Sequence, residues 1–194
     1  MVLITYDASI DPRLRPAWHQ DLIKFGGPEG PDVRPFSERG AKTLVHAVFD
    51  GRTPHGDVFA RIAPCVPGGG PCVPHIVPRR QATGPDLRHE LGIPADATVF
   101  GRHGGRDVFD VPEARQAVLR VARDRPDTYF LFMNTDPIGD PSSTDCMHNI
   151  IYLPRTLDEA RKAAFIRSCD AMLHGRRSGE SFGLAVAEFS AHNR

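Results

Sequence analysis

This sequence lacks the features that mark nucleic-acid-binding or membrane-spanning chains. Its 24 lysines and arginines are balanced by 24 aspartates and glutamates, so the formal net charge is +0. There is no basic excess to attract nucleic acid or an anionic membrane, and no apolar run is long enough to span a bilayer. Residues 1–5 are too short for a signal sequence. We therefore expect a cytoplasmic protein with no nucleic-acid partner and no transmembrane segment.

Cysteine is scarce, with four in the chain: Cys65, Cys72, Cys146 and Cys169. They lack the paired spacing typical of metal ligands, so we expect no metal site. Cys65 and Cys72 are near enough in sequence to pair, but a chain without a signal sequence favours free thiols.

Short apolar runs alternate with segments suited to helices, and this alternation predicts an α/β fold with parallel sheets. With 194 residues the chain can bury one large core or two small ones. Strands are predicted over residues 2–6, 42–49, 73–77, 98–101, 129–133, 149–153 and 171–173. Helices are predicted over residues 18–25, 55–62, 86–91, 112–123, 158–169 and 185–192.

A breaker-rich polar segment, residues 78–85, is the predicted linker between two domains. The domains are expected over residues 1–84 and 85–194.

The most informative segment is residues 171–194, which has the order strand, glycine-containing turn, helix. A helix N-terminus offers unpaired N–H groups and a positive dipole end, so it suits phosphate. Glu180 and Glu188 frame this end, and a helical span between them would rise ~12 Å. That is enough to contact separate parts of an extended ligand. The alternative is that Glu180 only complements the helix dipole and that Glu188 is an ordinary solvated residue.

The same letters also fit a hydrolase motif. Residues 179–183 match G-x-S-x-G, the nucleophile elbow of α/β-hydrolases, with Ser181 as nucleophile, and residues 102–105 faintly match the HGG oxyanion loop. The hydrolase order is Ser, acid, His, which leaves only Glu188 and His192. Both would lie on the helix that Ser181 begins and could not fold back to form a relay. The sequence therefore favours the anion site over the hydrolase.

A second anion-binding segment follows the strand predicted over residues 98–101. Gly104 and Gly105 let the backbone approach a ligand closely, and Arg102 and Arg106 can bind phosphate oxygens in a bidentate manner. Surface turns often have the same composition, which is the alternative interpretation.

The segment GESFGLAVAEFS, residues 179–190, resembles the donor-binding motif of retaining GT-B glycosyltransferases of the family 4 type. That family often has EGFGLP followed by EA at this point, with seven residues between its two glutamates. Ser181 replaces the usual Gly and Phe189 replaces the usual Ala, but both carboxylates are kept.

The resemblance implies a role for each residue of this motif. Glu180 would be catalytic and contact the donor sugar. The backbone at Phe182, Gly183 and Leu184 would hold the sugar and the diphosphate, and Glu188 would bind the nucleotide ribose.

The resemblance extends to the basic segment, where Arg102, Gly104, Gly105 and Arg106 would bind the donor diphosphate. The family's usual Lys is absent from this segment.

Two further sites are implied at strand ends. Pro154 and Arg155 would seat the nucleotide base. His55 would lie near the donor sugar as a catalytic residue, with His46 as the second choice. The alternatives are a helix-capping role for His55 and a core position for His46.

Taken as a whole, the resemblance implies a GT-B-like α/β protein with Rossmann-type parallel sheets, incomplete at both ends. Residues 1–84 would be a remnant of the acceptor-side domain, and residues 85–194 a truncated nucleotide-sugar-binding domain. Such a protein transfers a sugar from a nucleoside diphosphate sugar to a hydroxyl acceptor on a glycan, lipid or protein, with retention and without a metal or further cofactor. A partial chain is expected to be weakly active. The alternative is a non-catalytic nucleotide-binding or vestigial module.

Overall fold

The computed structural model describes residues 2–5, 43–52, 54, 56–77, 84–139 and 147–194. The chain divides into two compact units, Met1–Ile76 and Val77–Arg194. Residues 78–83 of the predicted linker, the predicted helix over residues 18–25, and Cys146 lie outside the described residues.

The first unit contains a three-stranded parallel sheet. Its strands are β1 (Val2–Thr5), β2 (Thr43–Ala47) and β3 (Val58–Arg61), in the spatial order β1-β2-β3. Val45 and Ala47 of β2 are buried. The guanidinium of Arg61 donates to the carbonyl oxygens of Val66 (2.8 Å) and Gly70 (3.2 Å), so it holds the following loop in place.

Two predictions in this unit are wrong. The helix expected over residues 55–62 is wrong, because residues 58–61 of that segment form strand β3. There Val58, Phe59 and Ala60 pair with β2, and this pairing outweighs local helix propensity. The strand expected over residues 73–77 does not form. There Cys72 makes only an isolated bridge to Arg61, and Pro74 has no N–H to continue a ladder.

The second unit is a four-stranded parallel sheet with three helices among its described residues. In chain order the elements are β4 (Thr98–His103), α1 (Pro112–Asp124), β5 (Thr128–Met133), β6 (Ile150–Leu153), α2 (Glu159–Ser168), β7 (Ala171–Met172) and α3 (Leu184–Ala191). The spatial order is β6-β5-β4-β7.

This strand order identifies a switch point in the topology. From β4 the chain steps outward to β5 and then β6, and it returns through α2 to place β7 on the other side of β4. The order is compatible with a Rossmann-like α/β fold, in which ligands bind outside the carboxyl ends of the strands where the order reverses. Here that position is the gap between the ends of β4 and β7, and we call it the switch-point crevice.

Strand β5 shows why the sheet is covered on both faces. All six of its residues are buried. Leu131 and Met133 belong to one core cluster with Phe165 of α2 and Phe189 of α3, while the alternate residues point to a second cluster that includes Val118 of α1. Successive strand residues face opposite sides, so each face of the sheet is packed against its own helices.

Helices α1, α2 and α3 confirm the predictions over residues 112–123, 158–169 and 185–192 to within one residue at each end. The helix predicted over residues 86–91 is instead a hydrogen-bonded turn, in which Leu91 N donates to Leu87 O at 2.9 Å. Gly92 ends it at a φ of +67°, a conformation that glycine adopts without strain.

The strand predicted over residues 98–101 ends too early, and the helical span considered between Glu180 and Glu188 does not form. Strand β4 continues through Arg102 and His103, because they pair in register with Phe132 and Met133, so neither residue belongs to the loop. Helix α3 begins at Leu184, so Glu180 lies ahead of the helix and is neither in its first turn nor on a continuous helix with Glu188.

In the described ranges, no helix has the length and apolar character needed to cross a bilayer.

Candidate functional site

Hydrogen bonds join the loop that follows β4 to the loop that follows β7, beside the switch-point crevice. The backbone N–H of Asp110 donates to the carbonyl oxygen of Gly175 (3.2 Å). The carboxylate of Asp110 accepts from the N–H of Arg177 (2.8 Å). Gly175 packs against Phe109, where a Cβ would lie 2.8 Å from the ring. The two loops therefore form one continuous wall at the carboxyl edge of the sheet.

Arg102, the second-last residue of β4, is the buried cation of this edge. It is only 3% exposed. Its guanidinium donates to the hydroxyl of Thr135 and, at 3.3 Å, to the carbonyl oxygen of Gly105, and it lies 5.4 Å from the centroid of the Phe109 ring. Burial lowers the pKa of Arg102 to about 10, against the opposing attraction of Glu180.

The hydrogen-bond partners described for Arg102, Thr135 and Gly105, are uncharged. Among the residues that the structure describes, no carboxylate forms an ion pair with its guanidinium. A buried charge that is not neutralised is unfavourable, and a guanidinium is suited to bind a phosphate or carboxylate through two hydrogen bonds. The position is therefore suited to an anionic ligand.

Glu180 lies on the β7 side of the crevice. One carboxylate oxygen accepts from Arg176 at 3.1 Å, and the other lies 3.7 Å from Nε2 of His174. The side chain is 30% exposed, so it can be reached by a ligand. Arg176 is in turn oriented by Ser178, whose hydroxyl accepts from Nε at 2.9 Å.

Glu188 is more enclosed, with a side chain that is 12% exposed. Its Oε1 accepts from Nζ of Lys162 at 2.5 Å, and its Oε2 lies 3.2 Å from Nε2 of His103. The His103 ring stacks on Phe189 at a centroid distance of 5.6 Å and meets Phe165 edge-on. Because His103 is the last residue of β4, this contact places the Glu188 carboxylate at the carboxyl end of that strand.

The two groups that flank Glu188, His103 and Lys162, have pKa values shifted in opposite directions. Burial lowers the pKa of His103, and the attraction of Glu188 opposes this only in part. For Lys162, burial acts to lower the pKa, but the hydrogen bond to Glu188 and the attraction of Glu188 and Glu159 raise it overall. Lys162 therefore stays charged beside Glu188, while the environment of His103 favours the neutral imidazole.

Lys162 and His103 are members of this site that sequence reasoning missed. Lys162 lies on a predicted helix with no pattern that distinguishes it from a solvated lysine. His103 adjoins Arg102 in the sequence and is the last residue of β4. Side chains alternate along a strand, so His103 lies on the same face as Val99, which packs with residues of α2 and α3. This alternation is the signal that could have identified it.

The remaining residues of the basic segment serve mainly to hold the turn. Arg106 pairs with Asp136 (2.7 Å), and its side chain is 74% exposed. The carbonyl oxygen of Gly104 accepts from Asn134 Nδ2 at 2.6 Å, and that of Gly105 accepts from Arg102. The structure thus brings Arg102 and the two glycines together and directs Arg106 toward Asp136.

The residues predicted to supply backbone contacts lie at the start of α3. Gly183 is the N-cap, with a φ of 74°, and no side chain of the described residues caps this end of the helix. Phe182 is half-buried, and Leu184 is 42% exposed. The first turn of α3 carries no acidic side chain, so nothing in that turn repels an anion.

The residues predicted to seat the nucleotide base lie away from this crevice, and the two predicted histidines belong to the first unit. Pro154 and Arg155 are exposed and follow β6, the edge strand two places from β4, which corresponds to about 10 Å at the usual strand spacing. His55 lies outside the described residues. His46, in the first unit, is half-buried, and its Nε2 lies 2.6 Å from the carbonyl oxygen of Val73.

Ser181 does not have the placement of a nucleophile elbow. It follows the last residue of β7, Met172, after a long loop and precedes the first residue of α3, Leu184. An elbow instead needs the nucleophile on a tight turn directly between strand and helix. His192 is directed to the backbone, with Nδ1 2.9 Å from the carbonyl oxygen of Glu188.

The described part of the chain contains no group of three or more His, Cys, Asp or Glu side chains able to hold a metal ion. No protein-family model matches this chain, and no curated protein matches it in sequence. The chemistry of the residues at the switch-point crevice is therefore the basis for assigning a function.

Proposed function

We propose that this protein is a retaining glycosyltransferase of the GT-B type that binds a nucleoside diphosphate sugar at the switch-point crevice and transfers the sugar to a hydroxyl acceptor. The observation that carries the proposal is the buried guanidinium of Arg102, which has no carboxylate partner among the described residues and lies where a Rossmann-like sheet binds ligands. A diphosphate would neutralise this charge.

The chemistry of transfer matches what surrounds Arg102. As the bond between sugar and diphosphate breaks, negative charge grows on the departing phosphate oxygens. Arg102 and the uncapped N-terminus of α3 would stabilise that charge. Glu180, which accepts a hydrogen bond from Arg176 on the β7 side of the crevice, would hydrogen-bond the hydroxyls of the donor sugar.

The ribose role of Glu188 is compatible with its contacts. A carboxylate can accept about four hydrogen bonds, and the only one described for this carboxylate comes from Lys162. The remaining lone pairs could accept from the two ribose hydroxyls. Pro154 and Arg155 remain the proposed base contacts, and His55 remains a proposed catalytic residue.

The first experiment is a calorimetric screen of UDP-, GDP- and ADP-sugars against the purified chain, repeated with Arg102→Met. We expect one donor to bind and the variant to weaken it by about ten- to a hundredfold, the scale of a lost charged hydrogen bond. Arg125→Met is the matched control. Arg125 is a surface residue paired with Asp127 (3.1 Å), directly before β5 and so at the opposite edge of the sheet.

A transfer assay with the bound donor then tests the reaction itself. Formation of a glycoside with the anomeric configuration of the donor would support the enzyme. Binding without transfer or hydrolysis would instead identify a nucleotide-binding module. Equal affinities in the parent, Arg102→Met and Arg125→Met proteins would contradict the placement of the diphosphate.

A further inference from the structure

The contacts of Glu188 connect two helices and the end of a strand. Glu188 belongs to α3, Lys162 to α2, and His103 ends β4. One carboxylate oxygen faces Lys162 at 2.5 Å and the other faces His103 at 3.2 Å. The carboxylate therefore lies between the ammonium group of Lys162 and the ring of His103.

The two flanking groups act differently on this carboxylate. Lys162 donates a hydrogen bond and also lies 3.1 Å from Glu159 of its own helix, so its ammonium group is held between two carboxylates. Nε2 of His103 is buried and, within the described ranges, has no hydrogen-bond partner. His103 therefore packs beside Oε2 of Glu188 and leaves the lone pairs of that oxygen unused, whereas Lys162 orients the carboxylate through its hydrogen bond to Oε1.

We infer that Lys162 is a positioning residue for the nucleotide ribose: it orients the Glu188 carboxylate so that the lone pairs it leaves free face the switch-point crevice. This inference rests on the proposed function, since it requires a nucleotide in that crevice. Lys162 does not itself contact the ligand. Its effect is to keep Glu188 from rotating toward solvent or adopting several rotamers.

The test measures discrimination rather than affinity alone. UDP, GDP and ADP and their 2′-deoxy counterparts are titrated into the parent protein and into Lys162→Met, which keeps the length of the side chain but removes its charge. We expect the parent to prefer the ribose form by about tenfold, the value of one hydrogen bond to a charged group. In Lys162→Met this ratio should fall to about one, because an unoriented Glu188 no longer distinguishes the two sugars.

Two further variants separate positioning from stability. Lys162→Arg keeps a cation beside Glu188 and should restore most of the preference. Arg161→Met removes the ion pair of the neighbouring helix residue with Glu90, which does not involve Glu188, and should leave the preference unchanged. If Lys162→Met weakens ribose and deoxyribose forms equally, Lys162 is only a stabilising residue and the inference is overturned.

An NMR titration of the His103 imidazole provides a readout that needs no nucleotide. The charged groups that act on this ring are Glu188, Lys162, Arg102 and Glu159. Removing the charge of Lys162 leaves Glu188 to stabilise the protonated ring, so the pKa of His103 should rise in Lys162→Met relative to the parent. An unchanged pKa would show that the three groups do not interact in solution, and would overturn the inference.

The two readouts distinguish the possible failures. A parent protein that binds no nucleotide contradicts both the proposed function and the ribose role of Lys162, whatever the pKa shows. A parent that prefers ribose while Lys162→Met keeps the same preference contradicts the inference and leaves the proposed function standing.

Discussion

Gly101 and Cys169 pack so closely that no side chain fits between them. A Cβ on Gly101 would lie 2.1 Å from Sγ of Cys169 and 3.2 Å from the Phe189 ring. Cys169 is fully buried, its Sγ lies 3.2 Å from the carbonyl oxygen of Phe165, and burial raises the pKa of its thiol to about 12. The thiol therefore serves as a small protonated core group that lets α2 approach β4, the strand that carries Arg102.

Gly101→Ala should destabilise the second unit by about 1–3 kcal/mol, the usual result of overpacking a core. Urea unfolding monitored by circular dichroism measures this, with Gly139→Ala as the control, since a Cβ there meets its nearest neighbour at an ordinary 3.7 Å. Cys169→Ala in the Gly101→Ala background should recover part of the loss. Strictly additive effects in that double-mutant cycle would disprove the contact.

The side chain of Asn149 links the end of α1 to the start of β5. It is 1% exposed, and its Nδ2 donates to the carbonyl oxygens of Ala122 (2.8 Å), Arg125 (3.3 Å) and Thr128 (2.8 Å). Asn149→Asp removes the donors and places a carboxylate against these oxygens, so we expect a loss of about 3 kcal/mol or more in the free energy of unfolding. Asn193→Asp, the same change at an exposed position, should alter stability by less than about 0.5 kcal/mol. Equal effects would refute this role.

His103 should make stability depend on pH. Its pKa in the folded protein lies below the ordinary value of 6.5, because burial disfavours the charged ring. Below about pH 6.5 the unfolded chain therefore binds more protons than the folded one. The free energy of unfolding decreases as the pH is lowered, and it levels off once the pH is below the folded-state pKa. His103→Gln should reduce this slope, and the difference between parent and variant should be constant above about pH 7.

Chemical denaturation at a series of pH values measures that slope. His89→Gln, at an exposed position, is the control and should follow the parent. A His103→Gln profile parallel to that of the parent across the whole range would show that His103 is not the responsible group.

Ser181→Ala should leave nucleotide-sugar binding intact, because the proposed contacts at this turn come from Glu180 and from backbone groups. Neither the parent nor the variant should hydrolyse an activated ester, since Ser181 is not at a strand-to-helix elbow. Ser190→Ala, at an exposed position of α3, is the matched control. Ester hydrolysis that Ser181→Ala alone abolishes would favour the hydrolase over the proposed transferase.

Local sequence pattern was sufficient for most of the second unit. The alternation of buried strands with helices over residues 98–194 is carried by hydrophobic period and by end signals such as Pro112 at the start of α1 and Asp158 as the N-cap of α2. The first unit was harder because β3 is short, and its exposed Val58 conceals the strand pattern until β2 is beside it. Pairing with a neighbour decided that element.

The sequence by itself determined the α/β class, the three helices described here, and the residues available to hold an anion, since these depend on interactions within a few positions of the chain. Only the tertiary structure decided that Arg102 is buried without a described carboxylate partner, and that Glu188 meets Lys162 and His103. Lys162 and Glu188 are 26 residues apart and meet only because α2 and α3 pack on the same face of the sheet. No local periodicity of the sequence predicts such a contact. The residues that surround Glu188 are therefore fixed only when the helices pack on the assembled sheet.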